Sequence, residues 1–110
     1  MSQAELIGEQ CDLLAARIQG NSDWGSLRAV YLDLVPVVGE IQGAVRTYTR
    51  DHVGSAEARR LDHAFEQLQN TIRQVGHDIR LSSPAALRIG LESCLEQVRE
   101  ILQELSSAPR

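Results

Sequence analysis

The sequence predicts an all-α protein, an antiparallel (up-down-up-down) four-helix bundle, and three observations lead to it. Apolar residues recur at spacings of three and four in four separate segments, the period of one buried helix face. Runs of about two to six Gly, Ser, Asn, Asp and Pro residues separate the segments, so successive helices should be antiparallel neighbours. The chain has 110 residues, one domain that can bury roughly two thirds of its unfolded surface without staples.

The first helix is expected at about residues 3–19. Its core face is Ile7, Cys11, Leu14 and Ile18, widened by Leu6 and Leu13, and Glu5, Glu9 and Asp12 form an acidic flank. Acids near the start and Arg17 near the end suit the helix dipole. Gly20-Asn21 offers a left-handed stop.

The second helix, residues 24–52, organises the rest. Ser22, Asp23 or Ser26 can cap it. Leu27, Val30, Leu34, Val38, Ile41, Val45 and Tyr48 alternate in steps of three and four, and Val30 to Val38 is apolar nearly all round, as a central helix should be. Pro36 lacks an N–H and clashes with the carbonyl of Leu32, so the helix should be kinked or broken there. A clean break would give a compact five- or six-helix, death-domain-like bundle, the second-ranked fold. Gly39 and Gly43, one turn apart, predict close packing against another helix of the chain or against a partner helix. Asp33 sits in the greasiest stretch and marks an exposed edge or pairs with Arg28, Arg59 or Arg73. Gly54 is the expected stop. Leu34-Val35-Pro36-Val37-Val38-Gly39-Glu40 resembles a phrase in helical regions that precede toxin domains of bacterial polymorphic toxins, and the resemblance implies a bacterial conflict setting.

Ser55 should cap the third helix, residues 55–81. Ala58, Leu61, Phe65, Leu68, Ile72, Val75 and Ile79 keep a strict seam over three heptads, predicting left-handed packing near 20°. Ser83 as cap and Pro84 at the first helical position start the fourth, residues 84–106. It buries Leu87, Leu91, Cys94, Val98, Ile101 and Leu105, widened by Ile89, Leu95 and Leu102. Cys11 and Cys94 are expected to be buried and reduced, or to face each other across neighbouring helices.

Composition narrows the function classes. A net charge of −4 without a basic patch disfavours nucleic acid and anionic membranes. All eleven basic residues are arginine. A polar N-terminus and the absence of a long apolar run make a cytoplasmic location the default expectation. His52, His63 and His77 lack metal-ligand spacing, and no nucleophile, oxyanion stabiliser or phosphate loop converges. No catalytic, cofactor-binding or metal-binding residue is therefore assigned.

The expectation is a non-enzymatic protein–protein interaction module, such as an immunity protein, adaptor or effector-associated domain. Its candidate contacts are Trp24, a residue type that dominates interfaces, and an acidic face. Glu92, Glu96, Glu100 and Glu104 form a ladder on the last helix, and Glu5, Glu9 and Asp12 lie on the first, its expected neighbour. Such a face would steer a basic protein. A homo-oligomer (a homodimer in the simplest case) is the alternative; a cofactor-binding bundle ranks below both.

Overall fold

Three of the four helices start where a side-chain oxygen takes up an unpaired backbone N–H. The computed structural model describes residues 3–20, 23–81 and 83–108. Its helices are α1 (Gln3–Gly20), α2 (Trp24–Asp51), α3 (Ala56–Asp78) and α4 (Pro84–Ser107). Asp23 accepts the Ser26 N–H at 2.9 Å, Ser55 that of Ala58 at 3.0 Å and Ser83 that of Ala86 at 3.1 Å. Each such cap stabilises its helix by about 1 kcal/mol. The bond from Ser26 also holds the Asp23 carboxyl below its ordinary range. Ser22, Asn21 and Ser82 lie outside the described residues.

The helix ends depart from expectation at two places. Gly20 is the last residue of α1 and is not left-handed; among the described residues only Gly54, after α2, has a positive φ, of 82°. Helix α3 ends at Asp78, because residues 79–81 form a turn in which the Leu81 N–H bonds the Asp78 carbonyl at 2.8 Å. The Ile79 carbonyl is taken instead by the Trp24 indole N–H, also at 2.8 Å. A helix carbonyl satisfied by a side chain has no need of a further turn.

Helix α2 runs unbroken through Pro36, so the reading in which proline splits it into a five- or six-helix bundle is overturned. Leu34, Val37 and Val38 are buried on either side of the proline, and their packing offsets the lost hydrogen bond. That loss should still be measurable. Pro36→Ala restores an N–H for the Leu32 carbonyl and is expected to raise stability by about 1–2 kcal/mol, less than the full helix penalty of proline because the unfolded chain also gains freedom. Urea denaturation of the two forms checks it; an unchanged or lower midpoint would mean that α2 is shaped around the proline.

Helices α2 and α4 each touch the other three, whereas α1 and α3 touch only α2 and α4. The bundle is accordingly flattened, 43 × 28 × 16 Å, with α2 and α4 across its short diagonal. Several contacts pair a residue near one end of a helix with a residue near the opposite end of a neighbour. Trp24 at the start of α2 meets Ile79 just after α3, and Arg60 early in α3 meets Glu104 late in α4; Arg17 late in α1 meets Asp33 in the first half of α2, and Asp12 of α1 meets Arg99 of α4. Cys11 and Cys94 are both free and buried.

The buried residues of the described chain are all apolar. The expected seams supply nearly all of them, from Ile7 and Leu14 in α1 to Leu91 and Ile101 in α4. Tyr48, Phe65, Ile79, Leu102 and Leu105 pack against this core from its margins. Five residues read as core or as part of an all-round apolar segment are instead exposed: Leu6 (48%), Leu13 (67%), Leu32 (51%), Val35 (44%) and Ile89 (67%). A layer only 16 Å thick has no second side for them to bury against.

Candidate interaction surface

Helices α1 and α4 pack against each other, and much of the acidic charge expected to form a face across them is already paired. Asp12 binds Arg99 at 3.1 Å, Glu92 binds Arg88 at 3.1 Å, and Glu104 binds Arg60 at 2.9 Å. In the first of these pairs Arg99 reaches across from α4 to α1. The ladder also divides. Steps of four in a helix of 3.6 residues per turn drift around the axis, so Glu92 and Glu96 line a groove with Ala15 and Gln19 of α1. Glu100 and Glu104 line a separate depression with Arg60, His63 and Ala64 of α3. Glu9 and Glu5 are exposed on α1, one and two turns before Asp12. Four of the eight candidate residues thus lie in two separate clefts, three along α1 and one at an end of the bundle, not in one continuous patch.

That end belongs to Trp24, the first residue of α2. With its N–H on the Ile79 carbonyl and the Arg28 guanidinium 5.8 Å from its ring centroid, it lids the end of α3 and stays 36% exposed. The opposite end gathers residues from three helices. Tyr48 stacks on His52 at 4.0 Å between ring centroids, with an interplanar angle of 11°, and Arg60 bonds Glu104 and lies 3.9 Å from Glu57. Desolvation and the nearby Glu57 push the Tyr48 hydroxyl above its ordinary value, which disfavours the phenolate and suits a latch more than a nucleophile. Sequence spacing alone gave no sign of this cluster, because its members are brought together by the turn at Gly54 and by the end of α4.

Asp33 is exposed and pairs with Arg17, not with the three arginines expected for it. His52 Nδ1 lies 3.0 Å from the Tyr48 carbonyl and His63 Nε2 lies 3.1 Å from Gln67 Nε2. No group of three His, Cys, Asp or Glu side chains among the described residues could hold a metal ion. No helix of the described residues is long and apolar enough to cross a membrane.

The larger departure concerns glycine. Gly39 and Gly43 are exposed, and a Cβ at either would meet nothing within 4 Å, so the expectation that they pack against a helix of the same chain is overturned. The close approaches lie elsewhere. A Cβ at Gly90 would come within 2.8 Å of Val75 Cγ2, and one at Gly76 would overlap the Tyr31 hydroxyl. Both glycines adjoin seam residues, Val75 and Leu91, the signal by which the sequence marks them.

What Gly39 and Gly43 do border is an apolar surface. Leu13 and Leu14 of α1 and Pro36 and Val37 of α2 line a groove of about 240 Å³ together with Gln10 and Glu40, and the Arg17–Asp33 pair crosses it. Leu6 lies two turns before Leu13 on the same side of α1. Along the outside of α2, Leu32, Pro36, Gly39 and Gly43 follow one another at four, three and four residues, a second seam that no helix of the chain covers, with Val35 at its edge. No protein-family model, curated protein or solved structure matches the chain.

Proposed function

We propose that the chain is a non-enzymatic protein-interaction module, an immunity protein, adaptor or effector-associated domain, that works by seating a partner on the outer faces of α1 and α2. One observation carries the reading: Leu6, Leu13, Leu32 and Val35, four large apolar side chains with helical spacing, are all 44% or more exposed on these two adjacent helices. Single exposed apolar residues are ordinary on any protein; four of them on the outer faces of two adjacent helices mark an interaction site. A core whose buried residues are all apolar among the described residues, Gln97 Oε1 being a lone buried polar atom at its margin, also favours action through the surface over chemistry inside the bundle. The acidic residues of α1 and α4, with Asp12, Glu92 and Glu104 already in ion pairs, become a rim that guides association more than an anchor.

The test uses Leu32→Asp with Val35→Asp. Both positions are solvent-exposed, so stability should change by about 0.5 kcal/mol or less per site. Protein captured stoichiometrically from the native cells by the wild-type chain should be lost with the double variant. Capture of the same protein by both forms would refute this face as the site. Reversing Glu96 and Glu100 to Arg should change the association rate and its salt dependence more than the dissociation rate. The same exposed seam keeps the homo-oligomer as the second reading, and light scattering that shows a concentration-independent monomer would remove it.

A further inference from the structure

The uncovered seam on α2 has charges at both ends that say what fits on it. Continuing its three-and-four spacing outward from Leu32 reaches Arg28, and from Gly43 it reaches Arg46 and then Arg50. Arg17, Arg60, Arg88 and Arg99 each sit within 3.1 Å of a carboxylate on another turn or helix. Arg28 and Arg46, like Arg59, Arg73 and Arg80 of α3 and the turn after it, have no carboxylate within ion-pair distance among the described residues, but these two share the seam; Arg28 has the face of Trp24, and Arg50 its neighbour Asp51 at 3.7 Å. The strip with its two open glycines is therefore bracketed by cations at its ends, with the exposed Glu40 and the Arg17–Asp33 pair on its α1 side, in a chain whose net charge is −4.

Self-pairing does not suit this pattern. A second copy laid along α2 head to head sets Arg28 on Arg28 and Arg46 on Arg46. Laid antiparallel about the middle of the strip, it sets Arg28 near Arg46 or Arg50. Like charges opposed at both ends disfavour either arrangement. An amphipathic helix of another protein meets no such conflict if its own ends are acidic. The absent side chains at Gly39 and Gly43 let its backbone come close, and Leu13, Leu32 and Val35 flank the contact as its apolar walls.

Resting on the interaction-module reading above, we propose that the outer seam of α2 is the docking site for a partner's amphipathic helix. That helix carries small or apolar residues at its centre and Asp or Glu at both ends. Arg28 and Arg46 are eighteen residues apart, roughly 27 Å along a helix, so the two acidic ends should be separated by about five turns.

The probe is a yeast-displayed library of 25-residue helices with seam and end positions randomised. It is sorted for binding to the full chain and against the Leu32→Asp, Val35→Asp variant. Survivors are expected to carry acids at both ends, and their affinity is expected to fall at least tenfold for Arg28→Glu with Arg46→Glu. The same loss is expected for Gly39→Leu with Gly43→Leu, whose melting temperature should rise, which separates lost docking from lost folding. Survivors with neutral or basic ends, indifferent to the arginine reversals, would overturn the inference and leave the apolar-face reading standing. No survivor that distinguishes wild type from Leu32→Asp, Val35→Asp would overturn both. A chain that scatters light as a dimer and becomes a monomer on Leu32→Asp would assign the seam to a second copy and overturn the inference.

Discussion

Leu91→Ala and Leu34→Ala are each expected to lower the unfolding free energy by about 3–5 kcal/mol, a large part of the roughly 5–15 kcal/mol that holds a domain folded. Both side chains are fully buried, and both sit on helices that touch all three others. A cavity there is surrounded by helices that cannot close on it without giving up contacts elsewhere. Leu14→Ala is the comparison: it is 5% exposed, lies on α1, which touches only two helices, and lines the α1/α2 groove. Water can enter that gap and α1 can settle inward, so a loss nearer 2 kcal/mol is expected. Urea denaturation of the three variants decides it. Equal losses would mean that α2 and α4 are not the spine of the bundle.

The same geometry explains how far the sequence could be read. Periodicity measures which residues share a helix face, and a narrow seam such as Leu61, Leu68, Ile72 and Val75 has only one face to offer, so its burial was legible. Caps were legible for a similar reason: Ser55 and Ser83 act on N–H groups three residues away, within their own stretch of chain. Burial of a wide stripe is a property of the neighbours. Leu6 and Leu13 flank a real seam, and nothing in α1 reveals that no helix of the chain lies outside them; the same is true of Leu32 and Val35. Gly39 and Gly43 misled because a glycine pair permits close approach without saying whose backbone approaches. The acidic ladder was legible as spacing and misread as a surface, since a drift of four in 3.6 carries Glu92 and Glu104 to different neighbours. The pairing of Asp12 with Arg99 and of Asp33 with Arg17 depends on helix register, which no single segment encodes.

Stability should also fall by several kcal/mol between pH 9 and 11, a consequence of two thiols in a chain without lysine. Burial pushes Cys11 and Cys94 from an ordinary value of 9.0 up to about 11, the Arg99 guanidinium drawing Cys11 back only in part. Below pH 9 both thiols are neutral in the folded and the unfolded chain, and the stability they contribute is fully present. As the pH rises, the unfolded chain releases these protons first and is favoured, until above pH 11 the folded thiols would ionise as well. A difference of that size corresponds to about 3 kcal/mol for each thiol. In most proteins lysine titration over this range obscures such an effect. Here every basic side chain is arginine and keeps its charge, and Tyr48, itself raised, moves stability in the same direction. Urea midpoints at pH 7, 9, 10 and 11 should therefore drop steeply for the wild type and much less for Cys11→Ala with Cys94→Ala, each series being referred to its own value at pH 7. Parallel slopes would show that the thiols are not the groups being titrated. A thiol reagent at pH 8 separates the causes independently: two buried neutral thiols should react only through the opened chain, so at low reagent concentration Leu91→Ala should hasten their modification by the factor, at least tenfold, by which it raises the open population.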